Sequence, residues 1–420
     1  MTLDEWLQLA ERQHDQPIEL GLERVRRVQQ ALAQRQTCPV ILVGGTNGKG
    51  STCAMLERIL LCAGYQVGLY TSPHLLRYNE RVRVNGIAVA DEALCAAFER
   101  VEAARSGNAL TYFETGTLVA WEVFAQQPLD AVILEVGLGG RLDATNIYEP
   151  DVAIVTGIAL DHMDYLGETR DAIGFEKAGI FRRGRPAICG DAHPPGRLIE
   201  TAEAIGAELR LIGRDFGYQT QEGQWQYWGS HGKRSGLAFP ALRGSRQLAN
   251  ASCALATLDA LHGPLPVAMG DIRRGLAEVE LAGRFQVLPG QPTVVLDVAH
   301  NPQAAAVLAD NLGNMAFHQN TWAIFGMMRD KDIVGVIQAM RQRIDHWLPV
   351  TLPGARAATT VDLAAKLQEC GIAAAHQGFA SPANGFAYAR ERAIENDRIV
   401  AFGSFLTVAD VMRALGRKTG

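Results

Sequence analysis

The stretch "ILVGGTNGKGST", Ile41 to Thr52, holds the first chemistry legible in the chain. An apolar run stops at glycines; Lys49 and two hydroxyl side chains, Ser51 and Thr52, follow. A glycine-rich turn opening a helix points backbone N–H groups at an anion, and the helix dipole adds to the attraction. A lysine placed there reaches outer phosphates, and a nearby hydroxyl holds Mg²⁺. The common loop is G-x-x-x-x-G-K-[ST], with the hydroxyl directly after the lysine. Here Gly50 follows Lys49, and the position five before Gly48 is Val43. The plain alternative is a strand–helix connection with one exposed lysine. Strand, Gly-x-x-Gly-Lys and helix in that order favour a nucleotide's phosphates.

Ligands of open α/β sheets bind beyond the carboxyl ends of the strands, so single residues there come next. Ser72 and His74 stand in "LYTSPHLLRYNERVRV", Glu135 late in "AVILEVGLGG", and Asp161 and His162 in "ALDHMDYLG". Each has an ordinary explanation: a turn cap, a partner for Arg141, a satisfied loop histidine. Beside a phosphate loop they compose a Mg²⁺ shell of hydroxyl, carboxylate and imidazole. Mg²⁺ prefers oxygen, which makes His162 the unusual member.

The elements that must position these residues are readable from patterning. "TLDEWLQLAERQ" opens with Thr2 and Glu5 in capping-box spacing. "PVILVGG", "VGLYTS", "DAVILEVG" and "VAIVTGI" are short apolar runs of the kind that suits parallel strands buried on both faces. Helical stretches lie between them, such as Glu114 to Gln127, and this alternation predicts a doubly wound α/β sheet. From Phe216 to Pro240 aromatic and polar residues alternate between glycine turns, an antiparallel ribbon at the sheet's edge. Helices are expected over Gln247 to Leu261 and Val267 to Val279. A second alternation runs from "TVVLDVAHNP" through "TWAIFGMM" to "RIVAFGSFLTV", and the boundary is expected at Gly283 to Gly290.

Bulk properties exclude other classes. Net charge is −5, against the basic face a nucleic-acid binder needs. Seven cysteines without C-x-x-C or zinc spacing read as reduced thiols, which points to the cytoplasm. The polar amphipathic start is no signal peptide, and no apolar run approaches the ~18 residues of a membrane span.

Several segments together resemble the Mur ligase superfamily, and within it the dihydrofolate synthase/folylpolyglutamate synthase branch. They are "GTNGKGST", "YTSPHLLRYNERVRVNG", "TYFETGTL", "ILEVGLGGRLDATN", "ALDHMDYLGETRDAIGFEKAGIFR", "LDVAHNP" and "GSFLTV", in the family's order from Gly45 to Val408. The resemblance implies an α/β fold: an N-terminal P-loop ATPase-type doubly wound sheet with a small antiparallel ribbon, and a smaller C-terminal Rossmann-like domain. Residues 1–283 would bind ATP and pterin or folate; residues 284–420 would form the second ligase domain. The implied activity is an ATP-dependent ligase. It adds L-glutamate to dihydropteroate, giving dihydrofolate, and to reduced folates, through an acyl phosphate.

Residue by residue, the resemblance assigns ATP binding to Thr46, Asn47, Gly48, Lys49, Gly50, Ser51, Asn250, Arg284, Asp297 and His300. Metal ligands would be Ser72, Glu135, His162 and Lys177, the last as a carbamate; Lys49, Lys177 and His162 would serve catalysis. Without the resemblance Lys177 reads as a helix-surface lysine. Pterin or folate would meet Ile18, Glu19, Leu20 and Gly21 in "PIELGLERV", then Thr111, Tyr112, Phe113 and Glu114, then Leu142, Asp143 and Ala144. Phe113 offers an apolar face and Asp143 an acceptor. Two Mg²⁺ ions, with room for a monovalent cation, and a monomer without membrane or nucleic-acid partners complete the implication. Three other readings compete: a monofunctional folylpolyglutamate synthase, a cell-wall amino-acid ligase and a P-loop switch. The cell-wall ligase is disfavoured because residues 1–44 are marginal for a preceding domain of at least ~50 residues. The switch is disfavoured because no guanine-reading N-K-x-D appears.

Overall fold

Apolar runs flanked by glycine become the strands of a central sheet in the computed structural model, which describes residues 1–16, 18–372 and 378–417. Pro17, first residue of "PIELGLERV", lies outside the described residues. The chain divides into two compact units, residues 1–241 with 248–279, and residues 242–247 with 280–420.

The first unit is built on eight strands: β1 Val40–Gly44, β2 Val67–Tyr70, β3 Val82–Val84, β4 Ile87–Ala88, β5 Ala131–Glu135, β6 Val152–Val155, β7 Pro186–Cys189 and β8 Glu208–Leu211. Their order is β4-β3-β2-β5-β1-β6-β7-β8. All pairs from β2 to β8 are parallel; β3 and β4 add an antiparallel edge. Every residue of β1, β2, β5 and β6 is buried, as apolar strands covered on both faces should be. The helix Lys49–Cys62 follows β1, and the helix Tyr112–Ala125, buried from Glu114 to Phe124, precedes β5. Against Lys49–Cys62 packs Met269–Glu278, where a Cβ on Gly275 would lie 2.6 Å from the Ile59 Cα. Only a glycine permits that approach. The Thr2–Glu5 capping box forms as its spacing requires.

The aromatic–polar ribbon is antiparallel, with β9 Gly217–Gln221, β10 Gln224–Gly229 and β11 Gly232–Leu237. It forms a sheet of its own rather than prolonging β8, to which a single bridge, Ile212 to Phe216, leads. The reason is its buried face. Trp225 and Tyr227 are wholly buried, and the Tyr227 hydroxyl donates to Asp259 Oδ2 (2.8 Å) on the helix Gln247–Ala260.

The second unit has β12 Gln286–Leu288, β13 Thr293–Leu296, β14 Thr321–Phe325, β15 His346–Pro349 and β16 Arg398–Phe402, ordered β12-β13-β16-β14-β15. Only β12 is antiparallel. Phe325, Trp347 and Phe402 pack ring against ring at its centre. Within "RIVAFGSFLTV" the strand ends at Phe402: Gly403 turns at φ +103°, and Ser404 caps the helix Phe405–Ala414. The α/β class, the ribbon and the second α/β unit match the expectation from sequence.

Candidate active site

The phosphate loop is shaped by contacts that only its own residue types allow. Gly45 has φ +136°, and a Cβ there would stand 2.0 Å from Thr156 Oγ1. Gly48 has φ +98°, and its Cβ would meet Asn250 Oδ1 at 2.4 Å, so Asn250 lies directly on the loop. The Thr46 amide donates to Gly157 O (2.7 Å), and the Ala159 amide donates to Thr46 Oγ1 (3.1 Å). Thr156 Oγ1 donates to Asn47 O (2.8 Å). Lys49 begins the helix, and its ammonium lies across the loop, donating to Gly45 O (3.0 Å) and Thr46 O (3.3 Å). Gly50 and Ser51 fill the first turn, with Ser51 buried.

Four neighbouring parallel strands, β2, β5, β1 and β6, deliver the other residues to one edge. Ser72 lies just past β2, Glu135 ends β5, Lys49 follows β1, and Asp161 and His162 follow β6. Strands sit roughly 4.8 Å apart, so this edge is compact. The Ser72 amide donates to Glu135 Oε2 (3.0 Å), and Glu135 is 3% exposed. His162 adopts φ +51°, uncommon for a residue with a Cβ, and its amide donates to Asp161 Oδ1 (2.9 Å). Lys177, on the helix Arg170–Ala178, is 4% exposed, not a surface lysine. That helix packs on the turn after β5: the Arg141 amide donates to Glu176 O (2.7 Å). Burial, and then the charge of Lys49, lower the Lys177 ammonium to about 7, with Asp161 and Asp143 pulling partly the other way. A lysine so placed is about half neutral at pH 7, and the neutral amine is the form that attacks CO₂.

Hydroxyl, carboxylate and imidazole suit a hard divalent cation that keeps water and phosphate among its ligands. Among the described residues no three acidic, imidazole or thiol side chains form a ready cage. A Mg²⁺ site completed by a nucleotide needs none.

Two of the three segments expected at a pterin are tied together by Arg24, which lies in "PIELGLERV" beyond the four residues singled out there. Its Nη2 donates to Glu114 Oε1 (3.0 Å) and to Glu19 O (2.9 Å), and its Nη1 pairs with the Glu19 carboxylate. Ile18, Leu20 and Gly21 are half-buried beside Glu19. Thr111 caps Tyr112–Ala125 in a reciprocal box with Glu114. Phe113 stands against Gly137, whose Cβ would fall 2.5 Å from Phe113 Cζ, and lies 5.9 Å from the Tyr70 ring. Tyr112 carries the Arg81 guanidinium at 5.4 Å, and Arg81 Nε donates to His74 Nδ1 (2.9 Å). In the third segment Leu142 is half-buried and Ala144 buried. The Asp143 carboxylate already holds its loop: Oδ2 accepts from the Leu138 amide (2.8 Å), Oδ1 from the Thr145 amide (3.0 Å) and hydroxyl (2.6 Å). Burial raises its pKa despite these bonds. Arg24 and Arg81 carried no signal of their own, each being one arginine in a charged stretch.

In the second unit Asp297, past β13, is half-buried and accepts from the Phe285 (2.8 Å) and Ala299 (2.8 Å) amides. Burial raises its pKa, with the Arg284 charge first among the opposing influences. Arg284 lies 5.1 Å over the Phe405 ring, and the His300 ring is 6.5 Å from it. Asp297 does not cap the next helix; Asn301 does. Phe405, on which this cluster gathers, was not singled out from sequence, where it reads as one more apolar residue.

Comparison with known proteins shows the family to which the chain belongs. The Mur ligase middle domain matches residues 43–258, and the Mur ligase glutamate ligase domain residues 283–405. The Escherichia coli (strain K12) dihydrofolate synthase/folylpolyglutamate synthase is 44% identical over 420 residues, covering 100% of this chain and 97% of its own. The structure of E. coli FolC in complex with DHPP and ADP superposes with a TM-score of 0.94 at 44% identity, over 99% of this chain and 98% of that one. A bifunctional folylpolyglutamate synthase/dihydrofolate synthase with Mn, AMPPNP and L-glutamate bound gives 0.91 at 43% identity, over 99% and 98%. The chain belongs to the Mur ligase family, in its dihydrofolate synthase/folylpolyglutamate synthase branch.

Proposed function

We propose that this chain is an ATP-dependent acid–amino-acid ligase that joins L-glutamate to dihydropteroate, giving dihydrofolate, and extends reduced folates with further glutamates. The observation that carries it is the delivery of Lys49, Ser72, Glu135 and the Asp161–His162 segment to one sheet edge, with Lys177 buried and its ammonium destabilised near Lys49 and Asp161. The Mur ligase match over both parts of the chain, and relatives that bear both activities in their names, support it.

An amine does not expel oxide from a carboxylate, whereas it readily expels phosphate. One oxygen of the acid attacks the γ-phosphorus of ATP, the bond to the ADP oxygen breaks, and an acyl phosphate results. The glutamate amine then attacks the acyl carbon; phosphate leaves with the former carboxylate oxygen, and the amine gives up a proton. Lys49 and the loop amides from Thr46 to Ser51 neutralise and orient the phosphates, where positioning and charge do most of the work. Ser72, Glu135 and His162 would hold a divalent cation, and two Mg²⁺ ions are part of this reading. When bound, the cations offset phosphate charge as it moves. Lys177 fits as a further oxygen ligand once carbamylated: its nitrogen bonds the carbon of CO₂ and releases a proton, turning an amine into an anion.

The segments tied by Arg24, with Phe113 and Asp143, are read as the pterin side, which favours dihydropteroate as well as folates. Residues 1–283 are assigned ATP and pterin or folate; residues 284–420 bring Arg284, Asp297 and His300 to ATP or to glutamate. A monovalent cation, a monomeric working form, and the absence of nucleic-acid and membrane partners belong to the proposal. So does the cytoplasm, which seven free cysteines favour. Among the described residues no helix is long and apolar enough to cross a membrane.

The test is ADP formation with Mg·ATP, L-glutamate and either dihydropteroate or a reduced folate. Turnover with each acid, dependent on glutamate, is expected. Full-rate ADP release from ATP alone would make the chain a nucleotide hydrolase instead.

A further inference from the structure

We propose that Arg170 and Asp191 form an ion-paired brace that positions the phosphate loop, acting through the segment 156–159; they are positioning residues for Mg·ATP. The inference rests on the reading of the loop as an ATP site. It starts from Thr46, whose amide and hydroxyl are held by Gly157 O (2.7 Å) and the Ala159 amide (3.1 Å). Between those two clasps sits Ile158. Both of its backbone polar groups are gripped from the other side. Its amide donates to Asp191 Oδ2 (2.7 Å), and its carbonyl accepts from Arg170 Nε (3.1 Å). The two grips are joined, since Arg170 Nη2 donates to Asp191 Oδ2 (2.9 Å).

The brace is itself anchored. Asp191 is 8% exposed and accepts from the His193 amide at Oδ1 (2.9 Å), while Arg170 Nη2 also donates to His193 O (3.1 Å). Arg170 is the first residue of the helix that carries Lys177, and Thr169, not Arg170, caps it. A cation in the first helical turn opposes the helix dipole, so local helix stability does not account for an arginine there. A fork that grips a carboxylate and a carbonyl at once does. Arg170 thus links three parts of the site: the loop through Ile158, the strand end leading to Asp161 and His162, and the helix of Lys177. A lysine, with a compact point charge, would not span both acceptors with the same geometry.

The test is calorimetric titration of Mg·AMP-PNP into the native protein and the variants Arg170→Gln, Asp191→Asn and Arg170→Lys, with steady-state kinetics alongside. Partners that orient a site typically cost about 10–100-fold in affinity or activity when removed. Arg170→Gln and Asp191→Asn should each weaken nucleotide binding by roughly that factor. The double variant should be no worse than the poorer single one, because both act through one unit. Arg170→Lys should recover part of the loss, and KM for dihydropteroate and for glutamate should stay at native values. Native affinity in folded variants would overturn the brace, and so would a uniform rise of all three KM values with a lowered melting temperature. Should Arg170→Gln or Asp191→Asn not fold, Arg170→Lys decides alone, by a raised KM for ATP with the other two unchanged. A native protein that bound no nucleotide would overturn the ATP reading, and the brace with it.

Discussion

Lys177 carries an amine into surroundings that disfavour its charged form. Buried near Lys49, it is held at about 7 rather than the ordinary 10.5. The carbamate reading predicts that Lys177→Ala loses at least ~100-fold in kcat. Acetate or propionate, whose carboxylate can occupy the vacated space, should restore part of it in ADP-release assays; Lys177→Arg should not respond. In CO₂-free buffer the same residue has a stability signature. Between pH 7 and 10.5 the unfolded chain binds a proton at this lysine that the folded chain does not. Stability from this group therefore rises with pH across that window and is level outside it. Urea unfolding at pH 7 and pH 9 should show the native protein gaining on Lys177→Met at the higher pH. Parallel changes in the two proteins would contradict the burial of an uncharged amine.

At the scale of elements, the β1 turn is specified by close approach rather than by propensity. Gly45→Ala combines a positive φ with a Cβ 2.0 Å from Thr156 Oγ1. It should cost about 2–4 kcal/mol and weaken nucleotide binding, measured by unfolding and titration. Gly64→Ala, at φ +89° with nothing within 4 Å, should cost only about 1 kcal/mol from backbone strain. In the second unit Thr359→Ala removes the box shared with Asp362, and about 1 kcal/mol of stability should go without change in KM. Elements of this kind were legible. The Thr2–Glu5 box, the buried strands and the helix after Lys49 follow from local pattern. The turn at Gly403 was less so, because "FGSFLTV" is mostly apolar and only Gly403 and the Ser404 cap divide strand from helix. The ribbon's separate sheet was not, since it depends on Tyr227 finding Asp259 at a distance in sequence.

For the whole molecule, the two α/β patterns were readable because each repeats strand and helix. The packing of residues 242–247 with the second unit was not, since the Ser245 amide reaches Asn311 Oδ1 (3.1 Å) across a long stretch of chain. The residues proposed for the site could be picked out where they fall just after strands. The contacts of Arg24, Arg81 and Phe405 are ones that no spacing announces. The proposed division of labour predicts that Arg284→Ala lowers kcat/KM for ATP by about 10–100-fold while calorimetric binding of dihydropteroate is unchanged. An unaltered kcat/KM for ATP would remove Arg284 from the nucleotide's contacts. The claim beneath all of this is that a carboxylate oxygen of the acid bonds the γ-phosphorus and leaves with it. Dihydropteroate labelled with ¹⁸O in both carboxylate oxygens tests it directly, by mass analysis of the phosphate formed with Mg·ATP and L-glutamate. One ¹⁸O in each phosphate released is the result predicted; phosphate free of label, formed alongside dihydrofolate, would contradict it.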